Sequence, residues 1–141
     1  MAKYRVAGNS KYWQDNISGT LLDLSAYIDS VDALGKEVQA LDVTALADAA
    51  ERVIAGIETS QEWSISGHFD DTVTTGPDAV LAPLVGTLGS FAWYPAGTTA
   101  GRRKYSGECL CLSYKPSAEV KGRVEWTASF KMDGSSTVGT A

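Results

Sequence analysis

Two separated segments of this 141-residue chain, 59–69 and 119–132, alternate between apolar and polar side chains. A period of two places successive residues on opposite faces of a β-strand, so each segment predicts a strand with one buried and one exposed face. Such half-exposed strands are typical of antiparallel sheets, because one face is left to water. The apolar faces carry Trp63, Ile65, Gly67 and Phe69 in the first segment, and Val124, Trp126, Ala128, Phe130 and Met132 in the second.

Several further segments favour extended structure. Residues 90–94 predict a strand with Phe91 and Trp93 on one face, and 104–114 predict a long strand joined to 119–132 by the residues between them. At about 3.3 Å per residue the two long segments would reach roughly 35 to 45 Å, which exceeds most strands of small domains. We therefore expect either bulges at Gly107 and Gly122 or strands that extend to another subunit.

The segment 21–31 combines strand-like alternation with a possible cap at Asp23 or Ser25, so it predicts a strand interrupted near Ser25. The residues 37–41 predict a short extended piece after it.

Two segments favour helices. Asp42–Gly56 is rich in Ala, Leu, Glu and Arg, with Asp42 or Thr44 as a cap at its start and Gly56 in the position that ends a helix. Val43, Leu46, Ala50, Val53 and Ile54 would share one apolar face of that helix. A candidate second, short helix covers 79–88, with Pro77 at its first position and Pro83 limiting its regularity.

Together these elements predict a mainly β, α+β chain: an antiparallel β-sandwich or partly closed barrel with one flanking helix and the candidate second short helix. The length fits a single domain, 1–141. Within it we expect an N-terminal arm at 1–18, an extended loop at 95–104 and a flexible C-terminal tail at 133–141. No apolar run approaches the roughly 20 residues of a membrane span, and the start has no signal-peptide pattern, which predicts synthesis in the cytoplasm.

The charge of the chain is unevenly distributed. The net charge is −5, yet residues 15–78 hold thirteen Asp and Glu against Lys36 and Arg52. Residues 1–14 and 79–141 each carry an excess of three positive charges. An acidic block between two basic ends suits self-association through unlike surfaces, although a solvated acidic face explains the block equally simply. The overall acidity disfavours binding of free nucleic acid.

The sequence offers no set of residues that would support catalysis. His68 is the single histidine and stands next to a polar turn, while Cys109 and Cys111 are the only cysteines and predict two small buried side chains. No Ser-His-acid or Cys-His set, phosphate-binding loop or metal site can be assembled. We therefore predict that the protein is not an enzyme and needs no cofactor or metal.

Several short motifs, taken in their order and spacing, are similar to those of a known protein family. The series DLSAYIDSVD, ALDVT, the segment that closes at Gly56, WSISGHFDD and VEWTASFKMDG resembles the major tail tube proteins of long, non-contractile-tailed bacteriophages. The similarity runs from about Leu22 to Gly134, which is most of the chain. The motifs are individually short, and it is their combination that carries the resemblance.

The resemblance implies a structural subunit that forms six-membered rings, stacked into a tube through which DNA is ejected without specific binding. It implies the protein itself as the main partner, with the tape measure, tail terminator and distal tail proteins as others, no membrane, and a place in the virion tail. The polar face carrying Glu125, Thr127 and Ser129 would line the channel. Contacts between subunits or rings would come from the arm and the 95–104 loop, through Tyr4, Tyr12, Trp13, Arg102, Arg103 and Lys104.

Two other functions stay open at this point. A capsid decoration or head–tail joining protein would also be acidic and lack catalytic residues. A monomeric carbohydrate-binding sandwich would use Trp63, Trp93 and Trp126 to stack on sugars, whereas their places on apolar strand faces favour core packing.

Overall fold

The computed structural model describes residues 10–32, 34 and 36–141. Most of these residues lie in antiparallel strands, and the predicted mainly β fold is confirmed. A 3₁₀ turn at Ser25–Tyr27 and one short α-helix, α1 (Pro77–Leu81), interrupt the strands of the described chain. The strands are β1 (Lys11–Asp15), β2 (Leu21–Asp23), β3 (Ile28–Asp32), β4 (Val38–Asp42), β5 (Val53–Glu58), β6 (Glu62–His68), β7 (Leu88–Tyr94), β8 (Arg103–Ala118) and β9 (Val124–Thr140).

Seven of these strands form one curled sheet in the order β2-β1-β7-β8-β9-β6-β3. The two edge strands, β2 and β3, are neighbours in the chain and are separated only by Leu24 and the 3₁₀ turn. The sheet must therefore bend until its edges approach each other, and the Tyr12 amide fixes the turn by donating to Ser25 Oγ at 2.9 Å. No strand pairing joins β2 to β3 among the described residues, so the barrel is only partly closed.

The inner face of the sheet holds the core, as the alternation predicts. Trp63, Ile65, Trp126 and Phe130 are buried, and the ring of Trp63 lies 5.6 Å from that of Phe130 and 4.6 Å from that of Phe91. Gly67 completes this face in β6, where a Cβ atom would lie 1.7 Å from the Tyr27 carbonyl oxygen. The 3₁₀ turn can pack against β6 only because that residue has no side chain.

The long strands β8 and β9 are bent where their pairing shifts, between Ser106 and Glu108 and between Cys111 and Ser113. The first irregularity confirms the bulge predicted at Gly107, whereas Gly122 lies in the turn between the two strands. The predicted joint at 115–118 belongs to β8 itself. The segment 133–141, expected as a flexible tail, instead continues β9 to Thr140 and pairs with the start of β8.

The helix predicted at Asp42–Gly56 is wrong. The structure has β4 ending at Asp42, a loop, and β5 beginning at Val53, and these strands form a two-stranded hairpin apart from the main sheet. An isolated helix of this length gains stability mainly by packing its apolar face, and the hairpin residues are almost all exposed. The β-branched Val53, Ile54 and Ile57 favour a strand instead.

The candidate second helix is confirmed in part. Its α-helical portion is α1, with Pro77 at the first turn as predicted, and it ends at Leu81, before Pro83. Pro77, Val80 and Leu81 are buried, so α1 is the helix that flanks the core. None of the helices in the described chain is both long and apolar enough to cross a membrane.

Candidate functional site

The β4–β5 hairpin, residues 38–58, carries the largest group of exposed apolar side chains among the described residues. All but three of its residues, Asp48, Gly56 and Glu58, are exposed. Its large apolar side chains are between 42% and 108% exposed, a level that the other described residues reach only at scattered positions. Exposed apolar side chains concentrated in one element are typical of a contact surface. The side chains are Val38, Leu41, Val43, Leu46, Val53, Ile54 and Ile57.

The tip of the hairpin is held by its own hydrogen bonds. The Val43 amide donates to the Arg52 carbonyl at 2.9 Å, which closes the loop. The Thr44 amide donates to Asp42 Oδ1 at 2.9 Å. This bond, together with a second one from the Thr44 hydroxyl, holds the pKa of Asp42 below its usual value. Asp48 accepts from the Ala45 amide at 2.7 Å and lies 3.5 Å from the Arg52 guanidinium. These local bonds replace the ones that the predicted helix would have made.

The base of the hairpin is tied to the barrel through polar contacts. The Thr59 amide donates to the Glu37 carbonyl at 2.8 Å, and Gln61 Nε2 donates to Glu37 Oε2 at 3.1 Å. The Ser135 hydroxyl in β9 donates to Glu58 Oε2, and this bond is the largest cause of the lowered pKa of Glu58. The hairpin is thus attached at its base and projects its apolar residues away from the core.

The three residues predicted to line a channel lie together on the outward face of the sheet. In register, Thr127 faces Ser66, Ser129 faces Ser64 and Glu125 faces His68. Glu125 and Thr127 are exposed and Ser129 is half-buried. We call this surface, built by β6, β9 and the second half of β8, the hydroxyl face; its Ser and Thr residues are Ser64, Ser66, Ser113, Ser117, Thr127 and Ser129.

The charges on the hydroxyl face are of both signs rather than uniformly negative. Lys131 lies directly opposite Glu62 across the strands, and Lys115 lies beside Thr127. At one end Arg123 Nε donates to Glu125 Oε1 at 2.9 Å, and another nitrogen of the same guanidinium contacts Asp29 of the edge strand β3. The bond to Glu125, and after it the bond to Asp29, are the main causes of the raised pKa of Arg123.

Of the residues predicted to contact other subunits, Tyr4 lies outside the described residues and Tyr12 belongs to the core. Tyr12 is 2% exposed, packs with its ring 6.4 Å from that of Phe91, and donates through its hydroxyl to Gln14 Oε1 at 3.0 Å. Burial raises the pKa of Tyr12 well above its ordinary value. A residue placed this way stabilises the barrel and offers no surface to a partner.

Trp13 and Lys104, in contrast, reach the same outward face. Lys11 pairs directly with Tyr94, and Lys104 Nζ lies 5.6 Å from the centroid of the Tyr94 ring. Trp13, two residues after Lys11, lies beside Ala92 in the next row. We call Lys11, Trp13, Tyr94 and Lys104 the basic face. Lys11 and Tyr94 were missed by the sequence reasoning, since only strand pairing brings them next to Lys104.

The remaining predicted contacts lie near the start of β8. Arg103 is exposed and is the first residue of that strand, so the loop predicted to run to residue 104 ends at Arg102. The Arg102 carbonyl accepts from the Ala141 amide at 2.8 Å, which ties the two ends of the β8–β9 pair together.

The open side of the barrel forms a cleft of about 720 Å³ between β1 and β3. Its walls include Ile28, Val31 and Trp93, and its rim carries Asp23 and Asp29. Since the outer edge of β3 pairs with no strand among the described residues, backbone groups along it remain available to another strand.

The described residues show no arrangement for catalysis or metal binding. They contain no group of three or more His, Cys, Asp or Glu side chains that could hold a metal ion. Cys109 and Cys111 are buried, as predicted, and burial raises their pKa values to about 12 and about 11. Thiols with such pKa values are poor nucleophiles and ligands at neutral pH.

Comparison with solved structures decides the fold. The tail of an empty gene transfer agent particle, refined with C6 symmetry, superposes with a TM-score of 0.68 at 14% identity, over 93% of this chain and 94% of its own. The SPP1 tail tube superposes with a TM-score of 0.70 at 12% identity, over 97% and 80%. This chain has the tail-tube fold. The same tail-tube fold is found in a sheath/tube terminator structure of an extracellular contractile injection system, with a TM-score of 0.69 at 9% identity over 99% of both chains.

Comparison of the sequence with known families and proteins gives no further assignment. No protein-family model matches the chain, and no curated protein matches it either. At identities this low the structural likeness establishes the fold alone, so the role of the protein has to be argued from its own surfaces.

Proposed function

We propose that this protein is the structural subunit of a phage-type tail tube. Copies would form six-membered rings, and stacked rings would make a conduit for DNA ejection. The single observation that carries the proposal is the exposed apolar hairpin on a tail-tube fold, because a monomer has no use for seven large apolar side chains held away from its core. The C6 symmetry of the matching gene transfer agent tail supports six copies per ring.

The partly closed barrel supports the ring. The edge strands β2 and β3 each have one unpaired side within the described chain, and unpaired edges of soluble proteins are ordinarily covered or blunted. Pairing between the edges of adjacent copies would cover both and continue the sheet around a ring. The length of β8 and β9, 16 and 17 residues, fits walls that reach beyond one subunit.

The hydroxyl face, with Glu125, Thr127 and Ser129, is the surface that we assign to the channel. Its hydroxyl groups keep a shell of water, and its carboxylates are balanced by Lys115 and Lys131, so no positive field would retain phosphates. DNA would therefore pass without specific binding. This assignment agrees with a structural rather than an enzymatic role.

The proposal implies particular partners and a particular location. The main partner is the protein itself, and a tape measure protein would occupy the channel before DNA. A tail terminator and distal tail proteins would close the two ends of the tube. The protein would be made in the host cytoplasm and would function in the virion tail.

Electron microscopy of the concentrated protein tests the proposal. We expect stacked rings with an axial hole in the wild type, and loss of rings when Leu46 and Ile57 of the hairpin are both replaced by Asp. Val120→Asp is the matched control, because Val120 is also a fully exposed apolar residue but lies in the β8–β9 turn. A wild-type protein that stays monomeric at all concentrations, or rings that persist in the hairpin variant, would contradict the proposal.

A terminator or joining ring at the end of a tube is the second candidate. It is favoured by the sheath/tube terminator match and by a match to a tube-terminating cap with a TM-score of 0.67 at 8% identity. Discrete rings that never stack would support it over the tube subunit. A carbohydrate-binding role is left with Trp93 alone, which lines the cleft between β1 and β3, because Trp63 and Trp126 are buried and cannot stack on a sugar.

A further inference from the structure

We infer that the acidic, apolar hairpin of one copy docks on the basic face of a second copy. This inference rests on the proposed function and goes beyond it by naming the two surfaces that meet. It follows from what each surface carries: large apolar side chains with negative charge on the hairpin, and aromatic rings between lysines on the basic face. A contact between two different surfaces of identical copies can repeat along an assembly.

The hairpin is the more acidic of the two surfaces. From Lys36 to Glu58 it holds five carboxylates against the two cations Lys36 and Arg52. Arg52 already lies beside Asp48, and among the described residues no ion pair involves Asp42 or Glu51, both of which are exposed. These two carboxylates flank the loop that carries Val43 and Leu46, so charge and apolar contact are offered by the same part of the hairpin.

The basic face offers the complementary groups. Lys11 is paired with Tyr94 in the neighbouring strand, and Lys104 lies over the Tyr94 ring. Trp13, which is half-buried, extends the aromatic surface by one row and has Asp23 opposite it on the edge strand β2. Tyr and Trp side chains bury a large area while leaving room for polar contacts at their edges, which is why they are common at protein interfaces. Lysines beside them would meet the hairpin carboxylates and set the direction of docking.

The other surfaces of the barrel fit the hairpin less well. The hydroxyl face consists of short polar side chains with charges of both signs, and it offers little apolar area. The cleft between β1 and β3 has apolar walls, but it places the two carboxylates of Asp23 and Asp29 beside one lysine, Lys11, whereas the basic face offers two lysines, so the cleft would attract an acidic hairpin less strongly. Among the outward surfaces of the described residues, the basic face therefore suits the hairpin best.

Charge reversal with rescue tests the inference. One variant carries Asp42→Lys and Glu51→Lys on the hairpin, and the other carries Lys11→Glu and Lys104→Glu on the basic face. We expect each variant alone to need on the order of tenfold more protein than the wild type to assemble, because like charges face each other at every contact. An equimolar mixture should assemble nearly as the wild type, because each variant then offers a complementary surface to the other.

Sedimentation velocity and electron microscopy give the degree of assembly, and circular dichroism shows whether each variant is folded. Lys121→Glu in the β8–β9 turn is the control for a change of net charge and should assemble like the wild type. Wild-type assembly with undiminished assembly of both reversal variants would overturn the inference while leaving the tube proposal intact. Failure of the wild type to assemble would instead contradict the tube proposal itself.

Nucleic acid is the other conceivable occupant of a surface that combines lysines with aromatic rings. A fluorescent 20-nucleotide single strand is therefore titrated into the wild type and the Lys11→Glu, Lys104→Glu variant. Binding that is lost in this variant while its assembly persists would assign the basic face to nucleic acid and overturn the inference. We expect no binding that depends on these two lysines at physiological salt.

Discussion

The β6–β9 pair of the barrel and the β4–β5 hairpin are both antiparallel strand pairs rich in apolar side chains, but they bury those side chains to opposite extents. Ile65 in β6 is 0% exposed, whereas Ile57 in β5 is 88% exposed. The barrel pair faces Phe91 and other rings across the core, while the main neighbours of β4 and β5 are each other. Isoleucine therefore stabilises the fold in the barrel pair, whereas in the hairpin it contributes little burial to the monomer.

The difference separates two requirements that a strand pair must satisfy. Side-chain type and turn chemistry decide whether the pair forms, and the presence of a second layer decides whether its apolar face is buried. A two-stranded hairpin alone is marginally stable, so β4–β5 depends on the bonds of its tip and base until a partner covers it. The barrel pair already has its second layer.

The largest effect is expected at Gly67 of the barrel pair. Gly67→Ala places a methyl group 1.7 Å from the Tyr27 backbone oxygen, a clash that the 3₁₀ turn can relieve only by leaving the sheet. We expect the free energy of unfolding to fall by about 4 kcal/mol or more, enough to unfold a marginally stable domain. Far-UV circular dichroism with urea titration measures the effect.

Gly139→Ala is the matched control for this substitution. Gly139 also lies in a strand, but a Cβ atom there would meet nothing within 4 Å. Its unfolding curve should coincide with that of the wild type within about 0.5 kcal/mol. Equal unfolding curves for both alanine variants would mean that the turn does not pack on β6 as described.

The next effect compares two isoleucines directly. Ile65→Ala removes buried groups and should reduce the free energy of unfolding of the monomer by about 2–5 kcal/mol. Ile57→Ala removes exposed groups and should change it by no more than about 0.5 kcal/mol. Urea unfolding at concentrations below assembly gives both values.

Assembly should separate the same two variants in the opposite order. Ile57→Ala should raise the protein concentration needed for assembly, because the side chain is lost from the docking surface. Ile65→Ala should assemble like the wild type at temperatures where it remains folded, since its side chain lies inside the barrel. A large loss of monomer stability in Ile57→Ala would show that the hairpin is covered by its own chain.

The barrel could be predicted from sequence because its physical cause is local. Alternation in 59–69 and 119–132 needs only a period of two to place Trp63 and Trp126 inside, and the structure confirms both. The interruption near Ser25 was also predicted, because capping residues and alternation compete within a few positions of the chain. In these segments the local preference and the tertiary environment agree.

The hairpin was predicted incorrectly because its local signals conflict. Six alanines from Ala40 to Ala55 favour a helix, whereas Val53, Ile54 and Ile57 favour a strand. Side-chain bonds from Asp42 and Asp48 to loop amides tip the balance, and sequence periodicity does not register such bonds. The absence of a core surface to receive the helix is a tertiary property that no local pattern contains.

The candidate surfaces were predictable only in part. Glu125, Thr127 and Ser129 share a face because they alternate along one strand, which the sequence shows. The basic face joins Trp13 in β1 to Lys104 in β8 through β7, and this adjacency depends on strand order. Tyr12 faces the core and Trp13 faces outward for the same reason, since the pairing of β1 with β7 decides which of them faces the core.

The smallest effect concerns the bond that joins the hairpin to the barrel. Because the Ser135 hydroxyl donates to the Glu58 carboxylate, the pKa of Glu58 is held below its ordinary value of 4.5. A lowered pKa in the folded state means that ionised Glu58 favours folding above about pH 4.5, and that this contribution is lost as the pH falls through the folded pKa. In the Ser135→Ala variant the pKa of Glu58 should rise toward 4.5, as measured by NMR titration of the side-chain carboxyl.

Ser117→Ala is the control for this titration, because Ser117 also has an exposed hydroxyl in the long strand pair but lies in β8, paired with Glu125 rather than near Glu58. It should leave the Glu58 titration unchanged. Glu58 is half-buried and its carboxylate remains accessible to solvent, so the expected effect on global stability is small, and amide chemical shifts of Thr59 and Ser60 report the hairpin base more directly than unfolding does. If Glu58 titrates at the same pH in the wild type and in Ser135→Ala, the hairpin is attached to the barrel through its Glu37 contacts, and β9 does not fix its orientation.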